Sequence, residues 1–147
     1  MRVIVDGDAA MYKNDIYQLT LNYQIEMFVY LDYAHLLKDA PYPVIECEIG
    51  KDSVDMRILS DLKKGDLLIT QDYGLAALAL GKGAYVLHVS GQKITSQNID
   101  ELLLRRYIGA HQRKSHKHIK GPSKPTKENK DYFLKQLETI LSILLKR

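Results

Sequence analysis

The 147-residue chain has a hydrophobic fraction of 46%, enough for an ordinary core, and a single domain over residues 1–147 is expected. Its one cysteine, Cys47, excludes an internal disulfide framework. No apolar run reaches bilayer length and no charged-then-apolar leader precedes the first strand, so the expectation is a reduced cytoplasmic protein with no membrane partner.

The net charge of +3 hides an asymmetry: through Leu104 there are 9 Lys/Arg against 15 Asp/Glu, and from Arg105 onward 12 against 3. An acidic body with a basic last third suits a protein that acts on a polyanion. It equally suits a solvated tail, so the sign pattern alone does not decide.

Arg2-Val3-Ile4-Val5-Asp6-Gly7-Asp8 opens the chain as a strand buried on both faces that runs into two carboxylates. Gly7 is read as the residue that frees the backbone to turn, so that Asp6 and Asp8 both reach past the carboxyl end of the strand. Asp8 also reads as an ordinary helix cap. Tyr12, Ile16, Leu19 and Tyr23 then recur at helical spacing, and Ile25, Met27, Val29 and Leu31 alternate as a second strand ending at Asp32. Asp39 to Pro43 is a turn, because each proline disfavours helix in the residue before it. Val44 to Ile49 follows as a third strand.

Asp52-Ser53-Val54-Asp55 starts a helix, with Asp52 or Ser53 as the N-cap and Asp55 in the first turn, where the helix dipole favours an anion. Lys63-Lys64-Gly65 stops it. Leu67 to Thr70 is a fourth strand, Leu75 to Leu80 a helix, and Ala84 to Val89 a fifth strand; Thr95 caps a further helix through Ile99, Leu102 and Leu103. The basic segment 105–130, broken by Gly121-Pro122 and Pro125, precedes an amphipathic helix 131–147 that docks through Phe133, Leu137, Ile140, Leu141 and Leu144. Strands alternating with helices imply an α/β fold with a mostly parallel central sheet of four or five strands flanked by helices.

In such a sheet Asp6, Asp8, Asp32 and Asp72 all lie beyond carboxyl ends of strands, and Asp52 and Asp55 open a helix on the same edge. Clustered carboxylates repel one another unless a cation neutralises them, and hard divalent ions take such oxygen ligands. Mg²⁺ or Mn²⁺ is the cofactor expected, supporting water attack on a phosphodiester. Taken singly, Asp52 and Asp55 are ordinary helix-start residues and Asp32 an ordinary turn residue.

Val5-Asp6-Gly7-Asp8-Ala9, the Asp52-x-x-Asp55 pair, Leu68-Ile69-Thr70-x-Asp72-x-x-Leu75-Ala76 and the late Gly121-Pro122 resemble the bacterial YaiI/YqxD family over nearly the whole chain. That family looks related to PIN-domain nucleases. The resemblance therefore implies a PIN-like sheet with an acidic, metal-binding cleft, in which Asp6, Asp55 and Asp72 occupy the positions of the nuclease acids. Two departures stand out: Ala10-Met11 replaces the family's usual Cys-Pro, and Asp32 stands where Asn is frequent. No role is carried over to Asp32.

The reading that follows is a Mg²⁺- or Mn²⁺-dependent nuclease in which Asp6 and Asp72 hold the ion and Asp8 and Asp55 assist. Arg105, Arg106, Arg113, Lys114, Lys117 and Lys120 guide a nucleic-acid backbone, with RNA the favoured partner. Two others compete: a non-catalytic nucleic-acid-binding module, and an Asp-nucleophile phosphohydrolase using Asp6 and Asp8. The phosphohydrolase also needs a phosphate-binding lysine and a later acidic pair, for which Asp72 alone is a poor substitute. His111, His116 and His118 suggest zinc, but one cysteine and the surrounding lysines argue for a solvated basic strip instead. Cys47 reads as a small core residue, and the ten tyrosines mostly fall on core-periodic positions.

Overall fold

A computed structural model describes residues 1–7, 11–32, 39–50, 52–115 and 126–146, with 112–115 described by backbone alone. Asp8, Lys117, Lys120, His116 and His118 lie outside the described residues, and so do the side chains of Arg113 and Lys114.

The described elements are β1 (Arg2–Asp6), α1 (Lys13–Asn22), β2 (Glu26–Asp32), β3 (Val44–Cys47), α2 (Ser53–Asp61), β4 (Leu67–Thr70), α3 (Tyr73–Gly81), β5 (Tyr85–His88), β6 (Lys93–Ile94), α4 (Ile99–Ser115) and α5 (Lys127–Leu145). The strands form one sheet in the order β3-β2-β1-β4-β5-β6. Five are parallel, as the βαβ pattern requires, and only the two-residue β6 runs antiparallel, along β5. That short edge strand has no counterpart in the sequence reading, because two residues carry no periodicity.

Val3, Ile4 and Val5 are each fully buried, which is why β1 reads as a continuous apolar run. Side chains alternate across the sheet, and the two faces have separate cores. Val3, Val5, Met27, Val29, Leu67, Ile69 and Leu87 pack with Ile16 of α1 and with Phe133, Leu137, Ile140 and Leu141 of α5. The C-terminal helix therefore packs back on the sheet, as its apolar stripe predicts. Ile4, Tyr30, Leu68 and Val86 face the other way, against Val54 and Ile58 of α2, Leu75, Ala76 and Ala79 of α3, and Ile99 and Leu102 of α4.

Three local expectations change. Gly7 is not in the left-handed region; its hydrogen is required because a Cβ there meets Leu31 Cδ2 at 2.6 Å and the Tyr30 carbonyl oxygen at 2.7 Å. The basic segment is not wholly irregular: α4 runs on through Arg105 and Arg106 to Ser115, anchored by buried Ile99 and Leu102 and helped by a Glu101–Arg105 ion pair one turn apart. Gly121-Pro122 and Pro125 lie outside the described residues. α5 starts at Lys127 rather than 131, because Thr126 and Asn129 form a reciprocal capping box. Among the described residues no helix is long and apolar enough to cross a membrane.

Candidate functional site

The chain leaves β1 toward β2 on one side and returns to β4 on the other, so the strand order reverses between β1 and β4. In open α/β sheets the crevice beyond such a reversal is where ligands bind. Asp6 ends β1 and Thr70 ends β4, on adjacent parallel strands. Two residues on from Ile4 and Leu68, both point to the face covered by α2, α3 and α4.

Thr70 ties the two strand ends together. Its fully buried hydroxyl donates to Asp6 Oδ2 at 2.8 Å and accepts the Asp72 backbone N–H at 3.1 Å. Asp72 is the N-cap of α3, where Oδ1 accepts the Leu75 N–H at 3.1 Å. Asp6 is 6% exposed, so a carboxylate sits where the strand would otherwise end in core.

Asp55, in the first turn of α2, faces the same point. Its pKa is pushed up to about 6, first by burial, then by the charges of Asp6 and Asp72, by a hydrogen bond with Asp72, and last by Asp52. Asp52 holds the N-cap position of α2, but its side chain makes no capping bond; a ψ of 8° is not the extended backbone that capping favours. Its carboxylate instead adds to the repulsion on Asp55. Asp32 is buried at the end of β2.

The described structure thus brings Asp6, Asp55 and Asp72 into one electrostatic neighbourhood. Among the described residues no three His, Cys, Asp or Glu side chains converge as a ready-made cation cage. The donor set is nevertheless all-oxygen, the set hard divalent ions take, and the like charges of Asp6 and Asp72 that help raise the Asp55 pKa are ones a cation would neutralise.

A second compensating charge comes from α4. Arg106 Nη1 lies 3.7 Å from Asp72 Oδ1, with both side chains partly open to solvent. The start of the basic segment therefore borders the acidic edge. Arg105 turns to Glu101 on its own helix.

Sequence reasoning gave no partner to His88, which ends β5 in register with Thr70. Nδ1 of its ring accepts the Ser90 N–H at 3.0 Å, and burial lowers its pKa, against a smaller opposing effect of the Gln71 backbone. The neutral ring stacks on Tyr73, with centroids 5.2 Å apart and planes at 25°. The role of Thr70 was also missed, although the Thr70-x-Asp72 spacing was the signal that contained it.

A family model described as the uncharacterised YaiI/YqxD family matches residues 4–143. The chain belongs to the YaiI/YqxD family. It is 40% identical over 133 residues to a UPF0178 protein of Natranaerobius thermophilus, covering 90% of each chain. It is 40% identical to one from Bacillus mycoides, covering 97% of this chain and 100% of that one. With one from Oceanobacillus iheyensis it shares 43% over 136 residues, 90% of this chain and 93% of the other. Among solved structures, Rae1 (YacP) from Bacillus subtilis superposes with a TM-score of 0.45 at 15% identity, covering 97% and 99% of the two chains. The YaiI/YqxD match spans all three clustered carboxylates, Arg106 and the Tyr73–His88 pair.

Proposed function

We propose that this YaiI/YqxD protein is a divalent-metal-dependent nuclease that hydrolyses phosphodiester bonds in RNA. The observation that supports it is the electrostatic coupling of Asp55 to Asp6 and Asp72 at the reversal of strand order, with Arg106 alongside. Asp6 and Asp72 are the residues that would hold Mg²⁺ or Mn²⁺, with Asp8 as a further oxygen donor. A bound ion supplies charge neutralisation at the phosphate and an acidified water.

The chain's own groups do the rest. Thr70 fixes Asp6 and the start of α3 relative to each other, so the two carboxylates keep their spacing. Asp55, with its pKa pushed up to about 6, is mostly a carboxylate at neutral pH and is basic enough to accept a proton from the attacking water. Arg106 exchanges Asp72 for a phosphate oxygen of the strand, and the remaining cations from Arg105, Arg113, Lys114, Lys117 and Lys120 draw the backbone in.

The test is cleavage of single-stranded RNA with Mn²⁺ by purified wild type, Asp6→Asn and Asp72→Asn. Asparagine is chosen because it still accepts from Thr70 or from Leu75 N–H, so the fold is kept while the charge is lost. Cleavage should fall at least about a hundredfold in each. Equal residual activity in all three would reject the reading.

The Arg106–Asp72 contact favours one other reading, a binding module in which Arg106 is the permanent counter-ion of the acidic edge. Failure of wild type to bind Mn²⁺, with RNA binding retained, selects it.

A further inference from the structure

Next to the carboxylates, on the β5 side, is a cleft of about 490 Å³ lined by Gln71, Tyr73, Gln92, Leu102, Arg105 and Arg106, together with Gly109. Its volume falls within the roughly 300–1,000 Å³ of small-molecule sites. Its chemistry is graded. Arg106 stands at the boundary with Asp72, Tyr73 forms an aromatic wall braced by the neutral His88 ring, and Gln71 and Gln92 are exposed carboxamides. The brace is itself fixed: Ser90 N–H and Oγ bond Nδ1 of His88, and the His88 N–H and the Gln92 carbonyl hold the turn closed.

An aromatic wall with amide donors and acceptors, one step from a phosphate-binding arginine, matches a nucleotide. The ring gives a π-face that any base can stack on, and each carboxamide offers both a donor and an acceptor to a base edge. A purely phosphate-reading surface needs neither. We infer that this cleft is a nucleobase pocket, which takes an unpaired base flanking a phosphate bound at Arg106, and that the substrate is therefore single-stranded. The inference rests on the reading of this edge as the place where a nucleic-acid strand lies.

The test is binding in EDTA, so that cleavage plays no part. Fluorescence anisotropy compares a labelled short oligouridylate with an abasic strand of equal length and charge. Wild type should bind the base-bearing strand about tenfold or more tightly. Tyr73→Leu, which keeps apolar bulk, should bring the ratio close to one and leave abasic affinity within about twofold. Gln92→Ala, at an exposed position, should shrink the ratio severalfold and serves as the probe should Tyr73→Leu melt below the assay temperature.

Equal wild-type affinity for the two strands, or binding to neither, overturns the pocket. So does a ratio unchanged in both variants. So does a ratio abolished instead by Tyr107→Ala, which would put the stacking on the exposed α4 surface, where Tyr107 lies over His111 with centroids 6.4 Å apart. The nuclease reading is judged separately by Mn²⁺-dependent cleavage: base discrimination without cleavage keeps the pocket and rejects the nuclease.

Discussion

The two ends of the sheet use the same residue, aspartate, in opposite ways, and one helix shows both. At the amino end, Asp66 takes Arg2 Nη2 at 2.7 Å and the Arg2 and Lys63 backbone N–H groups at 3.1 and 2.9 Å. Asp61, closing α2, accepts from Tyr30 Oη at 2.8 Å and Arg57 Nε at 2.9 Å. Burial pushes both carboxyls up, but hydrogen bonds and arginines outweigh it, and both end below the ordinary carboxylate value. At the carboxyl end, Asp55 opens the same helix among Asp6, Asp72 and Asp52 and is driven the other way. One end pairs its charges and stabilises the fold. The other gathers like charges, which stability alone does not favour, and perturbed groups of that kind mark sites of chemistry.

Substitutions at the two ends should therefore differ in what they damage. The largest stability loss belongs to the amino end. Asp66→Ala strands a partly buried Arg2 and removes four hydrogen bonds, and should cost about 3 kcal/mol in urea unfolding. Cleavage by the fraction still folded should be unaffected, and a specific loss of activity would break the comparison. Thr70→Val comes next. The shape is kept, but the bonds to Asp6 and to Asp72 N–H are lost, for about 2 kcal/mol and a severalfold drop in Mn²⁺-dependent rate. A stability loss with full activity would mean that Thr70 serves only the fold.

What could be read from the sequence follows from how far each signal reaches. β1, β4 and the parallel order were legible because buried strands and intervening helices write their own periodicity. The carboxylate edge was legible for the same reason: Asp6 and Thr70-x-Asp72 end strands, and topology does the rest. Capping was not, since Asp52 and Asp72 look alike in sequence and only backbone angles separate them: ψ of 8° leaves Asp52 without a cap bond, while 109° lets Asp72 accept from Leu75. Gly7 was assigned to the wrong cause, because its neighbour Leu31 arrives from another strand. The Tyr73–His88 stack and the reach of Arg106 to Asp72 likewise join residues from separate elements, and no local pattern records them.

The smallest effect is also the sharpest test of the comparison, because its sign depends on pH. Asp55 has a folded pKa near 6 against an ordinary 3.8. A carboxyl with a raised folded pKa stabilises fully below its unfolded pKa, and that contribution disappears as pH rises through the folded value. Since Asp55 is only half-buried, solvent screening reduces the term to about 1 kcal/mol. In chelator, Asp55→Asn should therefore be more stable than wild type by about 1 kcal/mol near pH 8, and the gap should close near pH 4. Asp66 has the opposite sign: its lowered pKa stabilises above the unfolded value and is lost as pH falls through the folded one, so the benefit of Asp66 appears where that of Asp55 fades. Added Mn²⁺ should reverse the order near pH 8, because an ion bound by wild type stabilises the folded state in proportion to its occupancy, and the asparagine variant forgoes part of it. If Asp55→Asn instead loses stability in chelator near pH 8, its favourable place in the first turn of α2 outweighs its neighbours. Asp55 would then be a helix-start residue like any other, and the two ends of the sheet would differ less than their charges suggest.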